Sequence, residues 1–373
     1  MNPFLIKHYK SPFYFCNRED EIEILMRNIE NQSNTVFFSQ RRIGKTALVK
    51  HLFYLLKSGD HSCIYLDIYA TQSLKEFIDQ LANSIYRTFP VEMSIGKRFW
   101  ESIKLLRPVL SMNPMTGLPE MSLDISKPTQ VERTVAQLLR FLESQKKPVL
   151  IAIDEFQQIL EYPEKNVEAV LRTAIQPLQH VHFIFLGSNQ KLMTHIFHDA
   201  KRPFYAETKN LVLQRIEKDK YNDFILKHFH KAGTKISKKT IDLILDITDR
   251  HTYYTQFLCH EIFSRSPKRV TADYVYKVLY QILSENEGVY YQYRNLLTSL
   301  QWKLLKALAK EEKTPKPFSQ KFIKKYDLGA PTSVKRTLES LIDKELVYHQ
   351  SMYEHSYFEV QDKFLMRWLQ YKF

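Results

Sequence analysis

Thr35-Val-Phe-Phe-Ser-Gln-Arg-Arg-Ile-Gly-Lys-Thr46, continuing into Ala47-Leu-Val49, is the stretch whose reading decides the fold. A short β-branched and aromatic run predicts a strand, a polar loop follows, and an apolar-periodic run opens a helix over Lys45–Leu56. Gly44-Lys45-Thr46 closes the pattern GxxxxGK[ST] of a Walker A phosphate loop. The chemistry dictates these residue types. Gly44 lets successive backbone N–H groups wrap phosphate oxygens, Lys45 sets a point charge on the β- and γ-phosphates, and Thr46 offers a hydroxyl to Mg²⁺. The helix N-terminus adds its unpaired N–H groups and dipole. Arg42, Ile43, Gly44, Lys45, Thr46 and Ala47 are therefore the expected nucleotide contacts, although Arg41 and Arg42 could equally face a partner or solvent. Ser39 stands where the pattern has its first glycine, which predicts an altered loop entry.

A second motif supports the first. Val149-Leu-Ile-Ala-Ile-Asp154-Glu155 is an apolar strand ending in two carboxylates, a Walker B arrangement. Asp154 is expected to hold the Mg²⁺ shell with Thr46. Glu155 is expected to polarise the attacking water. The next strand, His182–Leu186, runs into Gly187-Ser-Asn-Gln190. Asn189 or Ser188 could sense the γ-phosphate there, and a plain helix cap is an equal reading.

Outward from these motifs, strands expected at Thr35–Phe38, Cys63–Ile68, Val149–Ile153, His182–Leu186 and Asn210–Leu213 alternate with helices at Lys45–Leu56, Ser73–Tyr86, Gln130–Ser144, Val167–Gln176 and near Gln190. This order predicts an α/β core with a mostly parallel sheet covered on both faces. Residues 89–127, with Pro90, Pro108, Pro114, Pro119 and a Thr116-Gly117 turn, break the rhythm and read as an insertion. Val109–Met112 and Glu120–Ile125 are its expected hairpin. After Glu217 strands are expected to stop. Lys218–His230, Lys238–Thr248, Tyr253–Ser264 and Ala272–Ser284 read as four helices of a lid. Helices at Leu300–Lys310, Ser319–Tyr326 and Ser333–Lys344, then strands at Leu346–His349 and Tyr357–Val360, read as a winged helix-turn-helix. The expected divisions are 1–216, 217–290 and 291–373.

The chain of 373 residues is 44% hydrophobic with 8 Gly, which excludes disordered, collagenous and low-complexity classes. Cys16, Cys63 and Cys259 form neither a CxxC pair nor a disulfide framework. His195 with His198 and His228 with His230 lack the setting of a metal site and read as packed or solvated. No run is long enough to cross a membrane and no leader pattern is seen, so no membrane partner and a cytoplasmic location are expected. The net charge of +13 admits nucleic acid as a partner without fixing a fold.

The motifs together resemble those of the archaeal-type P-loop ATPases of the AAA+/STAND superfamily, which also occur in bacteria. The resemblance begins at Phe15-Cys-Asn-Arg-Glu-Asp-Glu-Ile22, similar to a lead-in near the adenine site. It continues through Arg41–Thr46, Asp154-Glu155, Gly187-Ser188, Arg202-Pro-Phe-Tyr205 and His251-Thr-Tyr-Tyr-Thr-Gln256, and ends with Val360-Gln-Asp-Lys-Phe-Leu-Met-Arg-Trp368. It implies an ATP-binding core, a helical lid and a C-terminal winged helix. It implies Arg18 beside the nucleotide, and His251 and Tyr253 as lid-side contacts. Arg250-His-Thr-Tyr-Tyr lacks the Gly and Pro usual in that segment. Oligomeric relatives often complete the site with a neighbour's arginine, which implies self-association. Arg172, Arg202 and Arg215 are candidates, with Arg202 first.

The third division is locally basic, and its expected recognition helix carries Lys335, Arg336 and Thr337. Double-stranded DNA or a protein is the expected partner of this winged helix. Three functions stay open: an Mg-dependent ATPase acting as a conformational switch on a macromolecular partner; a DNA-binding ATPase such as a loader, transposition helper or regulator; and a nucleotide-binding signalling scaffold with little turnover.

Overall fold

A computed structural model describes residues 2–57, 61–89, 94–104, 108–112, 117, 119–123, 128–350 and 356–373. The chain forms two compact units, Tyr9–Gln214 and Arg215–Phe373, the latter joined by Met1–His8.

The first unit runs α1 (Glu19–Glu30), β1 (Thr35–Phe38), α2 (Lys45–Leu56), β2 (Ser62–Asp67), α3 (Leu74–Thr88), α4 (Ser94–Ile103), β3 (Pro108–Met112), β4 (Pro119–Leu123), α5 (Pro128–Glu143), β5 (Val149–Asp154), α6 (Val167–Ile175), β6 (Val181–Gly187), α7 (Gln190–His198) and β7 (Lys209–Leu211). The sheet order is β2-β5-β6-β1-β7 and every neighbouring pair is parallel. Along the chain, β2 lies between the two motif strands. In the sheet it is β6 that lies between β1 and β5, with β2 at the edge.

Central β1, β5 and β6 are buried throughout because both faces are covered. Alternate side chains divide them between two cores. Phe37, Leu150, Ala152, Ile184 and Leu186 meet Leu25 and Ile29 of α1 and Leu48, Val49 and Leu52 of α2. Val36, Phe38, Ile151, Ile153, Phe183 and Phe185 meet residues of α3, α5, α6 and α7 on the other face. The ends of these strands are thereby fixed, and the loops that follow them inherit that rigidity.

The expected insertion contains the hairpin, β3 antiparallel to β4, and also α4, which sequence reading left out. Phe99 of α4 packs on Phe141 of α5 at 5.0 Å between ring centroids. Asn83 of α3 exchanges two hydrogen bonds with the backbone of Met121, so a side-chain amide completes the outer edge of β4. Pro90 and Pro114 of the expected insertion, Thr116 of its turn and Asp124-Ile125 of its expected second strand lie outside the described residues.

The second unit runs α8 (Lys218–Lys231), β8 (Lys235–Ile236), α9 (Lys238–Ile247), α10 (Thr252–Ser264), β9 (Arg269–Val270), α11 (Ala272–Glu285), α12 (Glu287–Leu296), α13 (Ser299–Glu311), α14 (Gln320–Tyr326), α15 (Pro331–Asp343), β10 (Val347–Gln350), β11 (Tyr357–Val360) and α16 (Lys363–Lys372). Strands do not stop at Glu217: β8 and β9 make a two-residue parallel pair, too short to leave a periodic signal. Helices α13 to α15 followed by the antiparallel β10–β11 ribbon form the winged helix. Its last helix, α16, is capped by Asp362, whose carboxylate accepts from the N–H groups of Phe364 and Leu365, and it buries Trp368.

Two tertiary features tie this unit together. Phe4 is fully buried among Phe224, His228, Phe229 and Phe263. A charge cluster joins Arg215, Asp249, Glu359 and Lys363 in the interior with the exposed Lys313 at its rim. Arg215 lies 2.7 Å from Glu359 and 3.0 Å from Asp249, and Lys363 lies 2.7 Å from Glu359 and 3.3 Å from Asp249. Lys313 adds a contact to Asp249 at 3.1 Å. Burial pushes the Asp249 carboxyl upward, but Arg215, Lys363 and Lys313 outweigh it and hold the carboxyl below its ordinary range. Asp249 and Arg250 both have positive φ, 48° and 52°, the left-handed region that is uncommon for residues other than glycine. Among the described residues no helix is long and apolar enough to cross a membrane.

Candidate functional site

The site lies where β1, β5 and β6 end. After Phe38 the chain turns through Ser39–Gly44 into α2. Two residues of this loop are left-handed, Arg42 at φ 58° and Gly44 at φ 107°. Ser39 is not among the positive-φ residues, so its backbone does not need glycine. Its hydroxyl accepts a hydrogen bond from the Leu213 N–H at 2.7 Å, which satisfies a buried donor after β7. The departure at this position thus exchanges an unneeded glycine for a hydrogen bond.

Lys45 is buried, and its ammonium donates to the carbonyls of Ser39 and Gln40, each at 3.1 Å. Burial pulls it down to about 8, against the opposing pull of Asp154 and Glu155. Ile43 is buried, Gly44 and Ala47 are half-buried, and Arg42 and Thr46 are exposed.

Thr46 Oγ1 donates to Asp154 Oδ2 at 2.8 Å, so the first helical turn and the end of β5 are joined directly. The other Asp154 oxygen accepts the Glu155 N–H at 3.0 Å. Tyr65, on the neighbouring β2, also donates its hydroxyl to Asp154 Oδ2. The adjoining hydroxyl and carboxylate oxygens are hard donors, which fit a small divalent cation such as Mg²⁺ that keeps water and phosphate oxygens as its other ligands.

Glu155 sits in the left-handed region at φ 56°, an uncommon conformation for this residue type. Its Oε2 accepts from the Ser188 hydroxyl at 2.7 Å, the Ser188 N–H at 3.3 Å and the Gln157 amide at 2.5 Å. Gly187 makes room for this arrangement: a Cβ there would lie 2.5 Å from the Gln157 side chain and 2.4 Å from Met193 Sδ. Asn189 does something else. Its Oδ1 accepts the Leu192 N–H at 3.1 Å and caps α7. Of the two polar residues left open after β6, Ser188 is thus the one whose side chain meets the carboxylate.

The arginines expected to act across subunits all have acidic partners in their own chain. Arg202 pairs with the buried Glu168, Arg172 with Glu207 at 2.7 Å, and Arg215 belongs to the charge cluster. Separating Arg202 from Glu168 would leave a buried carboxylate without its cation. Arg18 is buried at the start of α1, left-handed at φ 86°, and donates to Glu21 at 2.7 Å. His251 and Tyr253 belong to the second unit. His251 is buried 4.8 Å from the Tyr254 ring, and Tyr253 is half-buried beside Phe257.

Sequence reading missed Tyr65, Gln157 and Lys50. The Lys50 ammonium lies 3.6 Å from the Tyr65 ring centroid, a cation–π contact on the face of α2 that also carries Thr46. The available signal was the alternation Cys63, Tyr65, Asp67 along β2, which puts a phenol and a carboxylate on one face beside the Asp154 strand.

In the winged helix, Lys335 and Arg336 are exposed on α15, as are Lys321 and Lys324 on α14. Lys335 and Arg336 have no ion-pair partner among the described residues.

Comparison with known proteins agrees with this architecture. Residues 15–256 match the family described as "ATPase domain predominantly from Archaea". Residues 288–371 match one described as "probable winged helix domain". An uncharacterized ATP-binding protein of Methanocaldococcus jannaschii is 26% identical over 272 residues, covering 66% of this chain and 70% of that protein. The Walker-type ATPase of Pyrococcus abyssi is similar in structure at a TM-score of 0.67 and 16% identity, over 99% of both chains. The Aeropyrum pernix ORC1 protein, solved in complex with DNA, is similar at a TM-score of 0.53 and 13% identity, over 100% of this chain and 96% of that one.

Proposed function

The chain belongs to the family of ATPase domains found predominantly in Archaea, and on that premise we propose that it binds and hydrolyses ATP with Mg²⁺, as an AAA+/STAND-type switch acting on a macromolecular partner. The observation that carries this reading is the direct bond from Thr46 to Asp154, with Lys45 held inside the adjoining loop. Arg42 to Ala47 would cradle the phosphates by backbone N–H groups and the Lys45 charge. Thr46 and Asp154 would hold Mg²⁺, which when bound neutralises charge on the phosphate oxygens. Glu155 would orient and polarise the attacking water, with its carboxylate held by Ser188 and Gln157. The retention of this carboxylate favours turnover over a silent scaffold. Arg18, in the unit that holds the phosphate loop, would stand beside the base.

Replacing Lys45 with Ala removes the central cation and is expected to weaken ATP binding at least tenfold, about 1.4 kcal/mol. Unchanged affinity by calorimetry would sink the reading of the loop as the nucleotide site.

A second reading adds double-stranded DNA as the partner. It is favoured by the exposed Lys321, Lys324, Lys335 and Arg336 on the two helices of the helix-turn-helix. Four phosphate contacts would make affinity fall about 100-fold between 50 and 200 mM salt, through counterion release. Titration of labelled duplex at both salts tests it. Duplex binding that is equally tight in the Lys335→Ala/Arg336→Ala variant would show that α15 is not the reader.

A further inference from the structure

Tyr65 stands outside every motif, yet its hydroxyl reaches the oxygen of Asp154 that also receives Thr46. It comes from β2, the edge strand, where its register partner is Ala152, two residues before Asp154. The ring is half-buried, and its hydroxyl donates to the carboxylate. The Lys50 ammonium of α2 lies over its ring, 3.6 Å from the centroid. All four groups, Thr46, Lys50, Tyr65 and Asp154, belong to the first unit and to elements whose positions the two cores fix.

We propose that Tyr65 is a positioning residue for Asp154, fixing the rotamer of the carboxylate so that Thr46 and Asp154 present their oxygens together to Mg²⁺. The proposal rests on the reading of Thr46 and Asp154 as a magnesium–nucleotide site. A carboxylate at a strand end rotates about two bonds. Among the described residues its Oδ1 accepts from the Glu155 N–H and its Oδ2 from Thr46 and Tyr65, so without Tyr65 the Thr46 hydroxyl is the remaining described donor to Oδ2. A hydroxyl donated from a rigid strand supplies a second anchor without adding charge. Partners of this kind around metal ligands set metal affinity at the level of tenfold or more when removed. Tyr65 touches neither nucleotide nor metal in this scheme, so its loss acts through Asp154 alone.

The experiment is the Tyr65→Phe variant, which keeps the ring and its contact with Lys50 and removes one oxygen. Fluorescent ADP is titrated into parent and variant in EDTA, and then Mg²⁺ is titrated into the ADP-loaded proteins. The expected result is ADP affinity in EDTA within about twofold of the parent, and a Mg²⁺ half-saturation raised about tenfold. Circular dichroism melting of the same samples, together with the retained EDTA affinity, shows that the loop is intact. Mg²⁺ half-saturation equal to the parent's overturns the proposal and leaves the magnesium reading standing. An equal loss of affinity with and without Mg²⁺ also overturns it, because a merely structural tyrosine would give that pattern. A parent that shows no Mg²⁺ response at all overturns the magnesium reading itself, and this proposal with it.

Discussion

The molecule concentrates charge in two places, and they are built in opposite ways. At the strand ends of the first unit, Lys45, Asp154 and Glu155 sit within hydrogen-bond reach of neutral groups: carbonyls, hydroxyls and one amide. In the second unit, Arg215, Asp249, Glu359 and Lys363 are satisfied mostly by one another. Neutral partners orient a charge while leaving its field available to an incoming phosphate or water. Ionic partners consume that field. The first arrangement leaves its charges open to a ligand, and the second spends them on holding elements together.

The largest effect that would break this contrast is on stability. Glu359→Ala removes the partner of Lys363 and Arg215 and leaves buried cations in excess. It is expected to destabilise the second unit by about 3–5 kcal/mol in denaturant unfolding. A loss below about 1 kcal/mol would show that water reaches the cluster and that it is not a structural lock.

At the other cluster the expected loss is kinetic. Glu155→Gln keeps the shape and the Ser188 contact but cannot polarise water as a carboxylate does. Turnover is expected to fall about 100-fold with ATP affinity within about twofold of the parent. Turnover matching the parent would make Glu155 structural and favour the scaffold alternative.

Asn189 lies next to the chemistry and is expected to behave like a helix cap. Asn189→Ala should cost about 1 kcal/mol of stability, and turnover per folded molecule should stay within about twofold of the parent. A large fall in turnover would move Asn189 from the cap to the reaction.

The smallest expected effect is the acid limb of the second unit. The folded Asp249 carboxyl lies below its ordinary value of 3.8. Its contribution is therefore complete above that value and is lost as pH falls through the range below it. The groups facing it are Arg215, Lys313 and Lys363, with Glu359 across the same cations. Asp249→Asn should flatten the stability profile below about pH 4. An unchanged acid limb would assign the loss to other carboxylates.

The contrast also separates what the sequence discloses from what it hides. Phosphate chemistry needs its residues at consecutive strand–loop–helix positions, so Lys45, Thr46, Asp154 and Glu155 are legible, and α2 has the boundaries expected of it. The cluster draws its members from four stretches of the chain, at 215, 249, 313 and 359–363, and no local pattern joins those stretches. The same reason hid Tyr65, whose role depends on which strand neighbours β5, and α4, α12 and α16, whose apolar faces are defined only by what they meet. Asp362 before α16 was a readable cap signal. For Arg202 the motif could not show its intrachain partner: the guanidinium pairs with Glu168, which the sequence places 34 positions earlier.

Phe4 bears on the order in which the protein is made. Its backbone carbonyl is bonded to His260, 256 positions later, and its ring lies among side chains of α8 and α10. At about 5–20 residues per second of synthesis, that apolar segment waits roughly 10–50 s for its partners. The parallel sheet, by contrast, is complete once β7 has emerged. The nucleotide-binding core is thus free to form on the ribosome while the first residues of the chain remain unsatisfied, and their burial reports that the second unit has closed.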